Sequence, residues 1–216
     1  MDSDIMSAYQ KKALSIHSDE FHPYGNVISA INVDPLLKYL NDEISVPADQ
    51  VAYVRSDDRL NQYPAVSDIQ RQIYGGMPVQ AGYVCGVNTT QDGFEYHQGS
   101  EVIIAASDFF LFLGKREFMQ GNTFNGELAE PFFIPAKSVI ELYSTTLHYC
   151  PISINAQPFS AAIILLDGTN EDIDGKNKPA ILSKRNTWFI AHESFTEHPC
   201  PLLKGPHLCV NDIIHG

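Results

Sequence analysis

The chain has 216 residues, a formal net charge of −12, and a composition of 44% hydrophobic, 11% aromatic and 19% charged residues. This composition is typical of a globular domain with a sizeable core, and it excludes wholesale disorder. The acidic balance argues against nucleic acid and anionic membranes as partners, because both are bound through Lys and Arg. A neutral or metal-bridged small molecule is compatible with this charge.

The beginning of the chain and its cysteines indicate a cellular compartment. Residues 1–5 are acidic and lack the basic and apolar regions of a signal peptide. No apolar run approaches the roughly 20 residues that a membrane span needs. We therefore expect a cytoplasmic protein without a membrane segment, whose cysteines are reduced. None of the four has CxxC spacing; they are Cys85, Cys150, Cys200 and Cys209.

Residues 1–78 mix helical and strand patterns, and we interpret them as an N-terminal α/β extension. Asp34 and Pro35 favour the start of a helix, as an N-cap and a first-turn residue. The glycines at 75–76 favour the end of another helix. The expected elements are, in chain order, a weak helix over 9–16, a strand over 26–28, a helix over 34–40, a strand over 51–54 and a helix over 67–74.

From residue 79 the pattern changes to short strands separated by turn signals, which is typical of an all-β sandwich or barrel. We expect a hairpin around a turn at 98–100, and loops over 115–130 and 167–178. The expected strands cover 79–88, 94–97, 101–105, 108–114, 132–135, 138–143, 147–152, 159–166 and 188–191. The simplest division is one domain over 1–216, with a barrel core over 79–192 and a C-terminal tail over 193–216.

The stretch 95–101 places two carboxylates and an imidazole close together. If it begins as a strand, Glu95 and His97 point to the same face, since side chains alternate with period two. A turn after His97 can return Glu101 to that face from the next strand. Imidazole and carboxylate groups are the usual ligands of a catalytic divalent metal. One alternative is a polar hairpin whose Glu and His side chains are solvated, and another is a His97 that bridges the two carboxylates as a salt-linked switch.

Later strands offer further candidates. His148, between Leu147 and Tyr149, faces the opposite side from both of them, where it is either a ligand or a core histidine with one backbone hydrogen bond. Glu141 on an inner face would be a ligand or a general base, because a buried Glu is rarely left unpaired. Tyr143 could donate a hydrogen bond to a substrate oxygen, or it could be ordinary aromatic packing.

The spacing of Glu95, His97 and Glu101 resembles the first motif of the cupin superfamily, with Glu95 in the place of the first His. The glycines of that motif are displaced here, since Gly93 lies only two residues before Glu95. Pro135 supplies the proline of the second motif, but the glycine that should follow is absent. The resemblance is therefore one of spacing and strand order more than of residue identity.

The whole chain also resembles a bacterial family of single-domain cupin-like proteins of unknown function, through the runs 95–101, 141–151 and 185–192. This resemblance implies a mainly β fold, a cupin-type jelly-roll β-barrel or sandwich that often holds a metal. The fold hosts isomerases, epimerases, lyases, dioxygenases and binding proteins, so it implies a fold more strongly than an activity.

We expect a metal-dependent cupin that acts on a small sugar or sugar acid as an isomerase, epimerase or lyase. The expected ligands of a divalent ion (Zn, Mn, Fe or Ni) are Glu95, His97, Glu101 and His148. The expected catalytic residues are Glu141 and Tyr143, with Glu95 as the other carboxylate that could move a proton.

Two other functions stay open. One is a non-catalytic sugar-binding or regulatory cupin that keeps the fold without a complete ligand set. The other is an iron dioxygenase, which needs two His and one carboxylate around open positions. Cupins commonly pair through an edge strand or an N-terminal extension, so a homodimer is compatible with either.

Overall fold

The computed structural model of the chain describes residues 11–174, 178–195 and 202–214. Within them it contains seventeen strands and two α-helices, many of the strands very short. The elements up to residue 115 are β1 (Lys11–Lys12), β2 (Leu14–Ser15), β3 (Gly25–Val27), α1 (Asp34–Glu43), β4 (Val51–Val54), α2 (Pro64–Gln72), β5 (Val79–Gly86), β6 (Gly93–Tyr96), β7 (Glu101–Ala105) and β8 (Phe109–Lys115). The later strands are β9 (Phe124–Asn125), β10 (Glu130–Ile134), β11 (Val139–Leu142), β12 (Thr146–Leu147), β13 (Phe159–Leu166), β14 (Leu182–Lys184), β15 (Thr187–Ala191), β16 (Leu203–Lys204) and β17 (Ile213–Ile214).

The first layer is a six-stranded antiparallel sheet in the order β3-β11-β7-β13-β5-β4. Its longest ladder joins β13 to β5 over eight residue pairs. The described part of residues 1–78 supplies both edge strands, β3 and β4, so this segment is built into the sheet.

The second layer consists of two smaller sheets. One has the order β12-β8-β10-β2 and the other β14-β15-β6. An isolated antiparallel bridge between Glu95 and His148 links β6 to the chain just after β12. The remaining short strands pair as β1 with β17 and β16 with β9.

Alternation along the strands explains why the six-stranded sheet is apolar on both faces. Ile103 and Ile163 point inward, to the core between the layers. Val102 and Ile164 point outward, to a second core covered by α1 and α2. The same alternation divides the side chains of β8 between two cores. Leu111 packs between the layers, whereas Phe110 and Phe112 pack in a third core on the outside of the second layer. A continuous apolar run such as 109–113 is the expected result when both faces are covered.

The fold is mainly β, a two-layered sandwich as the sequence predicted, and the sheets that the described residues form do not close into a barrel. The hairpin expected around residues 98–100 is wrong: β6 pairs with β15, and β7 pairs with β11 and β13. The chain crosses between the layers at Gly99, where φ is 150° and a Cβ atom would come within 2.7 Å of Leu166 Cδ1.

Other predicted elements differ at their ends. Helix α1 begins at Asp34, so the residue in the cap position is Val33, which forms no side-chain cap. Helix α2 begins three residues earlier than predicted, with Pro64 in its first turn. The helix expected over 9–16 is wrong for its described part, which contains β1 and β2, and Tyr9 lies outside the described residues. Strand β12 is shorter than the predicted 147–152.

Three cysteines, Cys85, Cys150 and Cys209, are free thiols, and Cys200 lies outside the described residues. Among the residues that the structure describes, no helix is long and apolar enough to cross a membrane.

Candidate metal centre

Four titratable side chains form a cluster, and the two carboxylates among them line a cavity of about 510 Å³ between the layers. Glu95 lies in β6, His97 follows it, Glu101 begins β7, and His148 follows β12. The two layers therefore both contribute, with Glu101 coming from the six-stranded sheet and the other three from the second layer. One ligand atom each of Glu95, His97 and His148 lies within 4.8 Å of the others.

Both imidazoles are held at Nδ1 by a backbone carbonyl oxygen. His97 Nδ1 is 2.9 Å from the carbonyl oxygen of Asn186, and His148 Nδ1 is 3.1 Å from that of Thr146. A carbonyl oxygen only accepts, so each Nδ1 carries the proton and donates it. In the neutral form of each imidazole, Nε2 then presents a lone pair toward the carboxylates, as in histidines that bind a metal and are held by a backbone carbonyl.

Distances within the cluster fit ligands that converge on an ion. Glu101 Oε2 lies 3.5 Å from His97 Nε2 and 3.4 Å from His148 Nε2, and Glu95 Oε1 lies 3.9 Å from His97 Nε2. Both Nε2 atoms are buried and form no hydrogen bond within the described structure. Charge-assisted hydrogen bonds are shorter, roughly 2.7–2.9 Å. Two tetrahedral ligands at about 2.05 Å from a zinc ion would be about 3.3 Å apart.

Electrostatics within the cluster follow from burial and mutual contact. Burial disfavours the charged form of Glu101, but the charges and contacts of His148 and His97 outweigh it and lower its pKa to about 2. Burial likewise opposes protonation of His148, yet the Glu101 carboxylate raises its pKa to about 9. The cluster therefore has a strong demand for positive charge, which a divalent cation also satisfies.

The two carboxylates differ in exposure. The side chain of Glu101 is 7% exposed, whereas that of Glu95 is 21% exposed, and both line the cavity. Burial raises the pKa of Glu95, partly offset by His97 and His148. Glu101 is thus the more deeply buried of the two carboxylates and contacts both imidazoles, while Glu95 is closer to the open space.

Asn186 and Thr187 hold His97 in place, and the sequence did not suggest either residue as a site. Besides the Asn186 carbonyl oxygen, the Thr187 hydroxyl lies 3.3 Å from His97 Nδ1 and donates to Asn170 Oδ1 at 2.5 Å. Asn170 Nδ2 then donates to the Tyr53 hydroxyl at 2.8 Å. A hydrogen-bonded path therefore runs from the imidazole to the mouth of the cavity.

The structure does not bring Glu141 and Tyr143 to this cluster. Glu141 is paired with Val102 in β11 and faces outward, where it accepts a hydrogen bond of 2.6 Å from the Ser100 hydroxyl. Its neighbour Leu142, opposite Glu101, takes the inward face. Neither Glu141 nor Tyr143 lines the cavity. The catalytic roles expected for them have no geometric support.

The cavity contains residues that sequence reasoning missed. Tyr53, Tyr149 and Phe189 supply aromatic walls, and Arg55 and Lys184 supply positive charge. The alternation of Val51, Tyr53 and Arg55 along an edge strand was a signal that could have placed the last two on the inner face. Burial raises the pKa of Cys150, another wall residue, to about 12, so its thiol stays protonated.

A family model matches residues 13–200, most of the chain, and is described as a domain of unknown function, DUF4867. The chain belongs to this family. The comparison with curated proteins found no significant match. The family assignment therefore supplies no activity.

Solved structures similar to part of the chain include Bacillus subtilis oxalate decarboxylase, in a study of its Mn(II) centres. That chain is 14% identical, with a TM-score of 0.33, over 45% of this chain and 24% of the other. A second structure of an oxalate decarboxylase, from a study of proton-coupled electron transfer, is 13% identical, with a TM-score of 0.34, over 54% of this chain and 25% of the other. The chain thus spans about a quarter of these proteins, and the fold assignment rests on the strand order given above.

Proposed function

We propose that this protein is a metal-dependent enzyme that acts on a small sugar or sugar acid by isomerisation, epimerisation or a related lyase step. One observation carries the proposal: the Nε2 atoms of His97 and His148 are buried, form no hydrogen bond within the described structure, and both lie within 3.5 Å of Glu101 Oε2. Buried polar atoms left unpaired are costly, and a divalent cation held between the two imidazoles and the carboxylate would pair them.

The donor set suits a borderline or hard divalent ion. His97, His148 and Glu101 would hold it, because Glu101 is the carboxylate in contact with both imidazoles. Two imidazoles with carboxylate oxygen fit Zn, Mn, Fe or Ni. A bound ion of this kind supplies Lewis-acid polarisation of a carbonyl oxygen.

Glu95 is the base in this proposal. It borders the cavity, it is the more exposed of the two carboxylates, and its distance of 3.9 Å to His97 Nε2 is longer than either distance between Glu101 and the imidazoles. A carboxylate in this position can take a proton from the carbon next to a carbonyl and return it to the neighbouring carbon. The aromatic side chains of Tyr149 and Phe189 line the same cavity.

Metal analysis of protein purified without chelator tests the ligand set. We expect near-stoichiometric divalent metal in the native protein and its loss in the double variant His97→Ala, Glu101→Ala. His17→Ala, which removes an exposed imidazole, is the matched control and should keep the metal. Equal metal content in the double variant and the native protein would refute the proposed centre.

The same preparation tests the role of Glu95. With a panel of aldoses, ketoses and their acids in D₂O, the native protein should exchange deuterium into the carbon next to the carbonyl. Glu95→Gln should keep its metal and lose this exchange by about 10²–10⁴-fold. Loss of metal from Glu95→Gln would make Glu95 a ligand instead. Stabilisation by sugars in EDTA, with no exchange in any sample, would favour the non-catalytic binding protein.

A further inference from the structure

Two cationic side chains line the cavity, one from each layer. Arg55 directly follows edge strand β4 of the six-stranded sheet, and Lys184 ends β14 of the second layer. Strand β4 is three strands from β7, which carries Glu101, so the backbones of Arg55 and Glu101 are roughly 14 Å apart across the sheet.

The side chain of Arg55 is fixed by a hydrogen bond to the buried side chain of Gln80. Its Nη1 donates to Gln80 Oε1 at 2.8 Å, and that buried oxygen also accepts from the amide of Gly168 at 2.9 Å. Gln80 is 2% exposed, and its Nε2 donates to the carbonyl oxygen of Thr169 at 2.9 Å. In the described structure the guanidinium uses only Nη1 in these contacts, which leaves its other donors available to a ligand.

Arg55 and Lys184 are the cations that line the cavity, together with the carboxylates Glu95 and Glu101. Glu171 is shared between Arg55, at 3.4 Å, and Arg185, at 2.9 Å, and Lys184 pairs with Asp172. The shorter contact of Glu171 is thus with Arg185, and its contact with Arg55 is long for a charge-assisted hydrogen bond. In a chain of net charge −12, two cations in the lining of this cavity give an anionic group a local place to bind.

We propose that Arg55 and Lys184 form an anion subsite, so that the substrate carries a carboxylate or phosphate at the end remote from its reacting carbonyl. Its polyhydroxylated chain lies along the aromatic wall of Tyr53 and Tyr149, whose rings suit the C–H faces of a sugar chain. A fixed guanidinium recognises a planar carboxylate or a phosphate by paired hydrogen bonds. The direction of the substrate rests on the proposed function, whereas the subsite itself does not require the metal.

Calorimetric titration with matched ligand pairs tests the subsite. The probes are xylitol against xylonate, and glucitol against gluconate and glucitol 6-phosphate, with metal-loaded protein. We expect an acid to bind at least about tenfold more tightly than its neutral partner, with the advantage decreasing as salt rises. The carboxylate and phosphate arms identify which anion is preferred. Equal binding of neutral and acidic partners, or binding of no acid at all, would overturn the proposal.

Arg55→Gln and Arg185→Gln form a matched pair of variants. Each removes one positive charge and one contact with Glu171, but only Arg55 lines the cavity. Arg55→Gln should lose the tenfold preference and keep its metal, and Arg185→Gln should keep both. If both variants lost the preference for acids equally, the preference would be an effect of general surface charge, and the proposed subsite would be overturned.

Repeating the titration after EDTA treatment separates the two proposals. A preference for acids that persists in EDTA supports the subsite even in a protein that never binds metal. A protein with stoichiometric metal and no preference refutes the subsite and leaves the metal-dependent activity standing.

Discussion

The space between the two layers is filled in two different ways. In one part, Phe21 and Tyr24 pack edge-on against Phe132, with ring centroids 5.4 and 5.1 Å apart. In the other part, a cavity of about 510 Å³ is bordered by the carboxylates of Glu95 and Glu101. Both parts face the same inner surface of the six-stranded sheet.

The difference shows how this sandwich accommodates a costly site. Burying carboxylates and imidazoles opposes folding unless a partner neutralises them. Burying large aromatic side chains favours folding by about 1.5–3 kcal/mol each. The aromatic part therefore supplies stability, and the polar part depends on it and on a cation. Three experiments test this division between the aromatic part and the polar part.

The largest expected effect comes from the aromatic part. Phe132→Ala should lower the free energy of unfolding by about 3–5 kcal/mol, because it leaves a cavity among rings that cannot collapse around it. Urea unfolding gives the measurement. The exposed residue Phe118 is the control, and Phe118→Ala should change the free energy by less than about 0.5 kcal/mol. If folded Phe132→Ala protein also loses its metal, the two parts are coupled and the division fails.

Removal of the metal should have the next largest effect. At a free metal concentration 100 times Kd, the ion stabilises the native protein by about 2.7 kcal/mol, which EDTA would abolish. Thermal unfolding with and without EDTA measures this. The variant His97→Ala, Glu101→Ala should show no response to EDTA, and an equal shift in both proteins would mean that the ion binds elsewhere.

The smallest effect should come from the residues that hold the imidazole. Thr187→Val removes the hydroxyl that contacts His97 Nδ1 and donates to Asn170. Metal affinity should fall about 10-fold, since removal of a hydrogen-bond partner of a metal ligand typically lowers metal affinity by about 10–100-fold. Competition with a fluorescent chelator gives the affinity. The exposed Thr89 provides the control Thr89→Val, which should leave it unchanged; a loss as large in that variant would rule out a specific role for Thr187.

Much of the fold followed from the sequence because alternation and turn residues are local signals. The range predicted for β13, 159–166, agrees with the structure, and that for β4, 51–54, does too. The hairpin around residues 98–100 was wrong because a short turn can join two paired strands or carry the chain between layers. Only the pairing of β7 with two other apolar strands decides between these outcomes, and sequence spacing does not contain it.

Parity also explains what could be predicted of the site. It placed Glu95 and His97 on one face, and in the structure both lie in one cluster with Glu101 and His148, whose two carboxylates line the cavity. It could not place Glu141, because both faces of the six-stranded sheet are covered by apolar cores and the inward face has no distinguishing pattern. Arg55 was missed because its role depends on a sheet edge that only the tertiary structure defines.

The bridge between Glu95 and His148 has a consequence for how sequence change would act on the site. The Glu95 amide donates to the His148 carbonyl oxygen at 2.6 Å, and the His148 amide donates back to Glu95 at 3.0 Å. Side chains opposite one another in such a pair share a face, and a slip by one residue sends them to opposite faces. A one-residue insertion or deletion before His148 could therefore abolish the centre while preserving every ligand. Length changes near this bridge are consequently more informative about function than conservative substitutions on the surface.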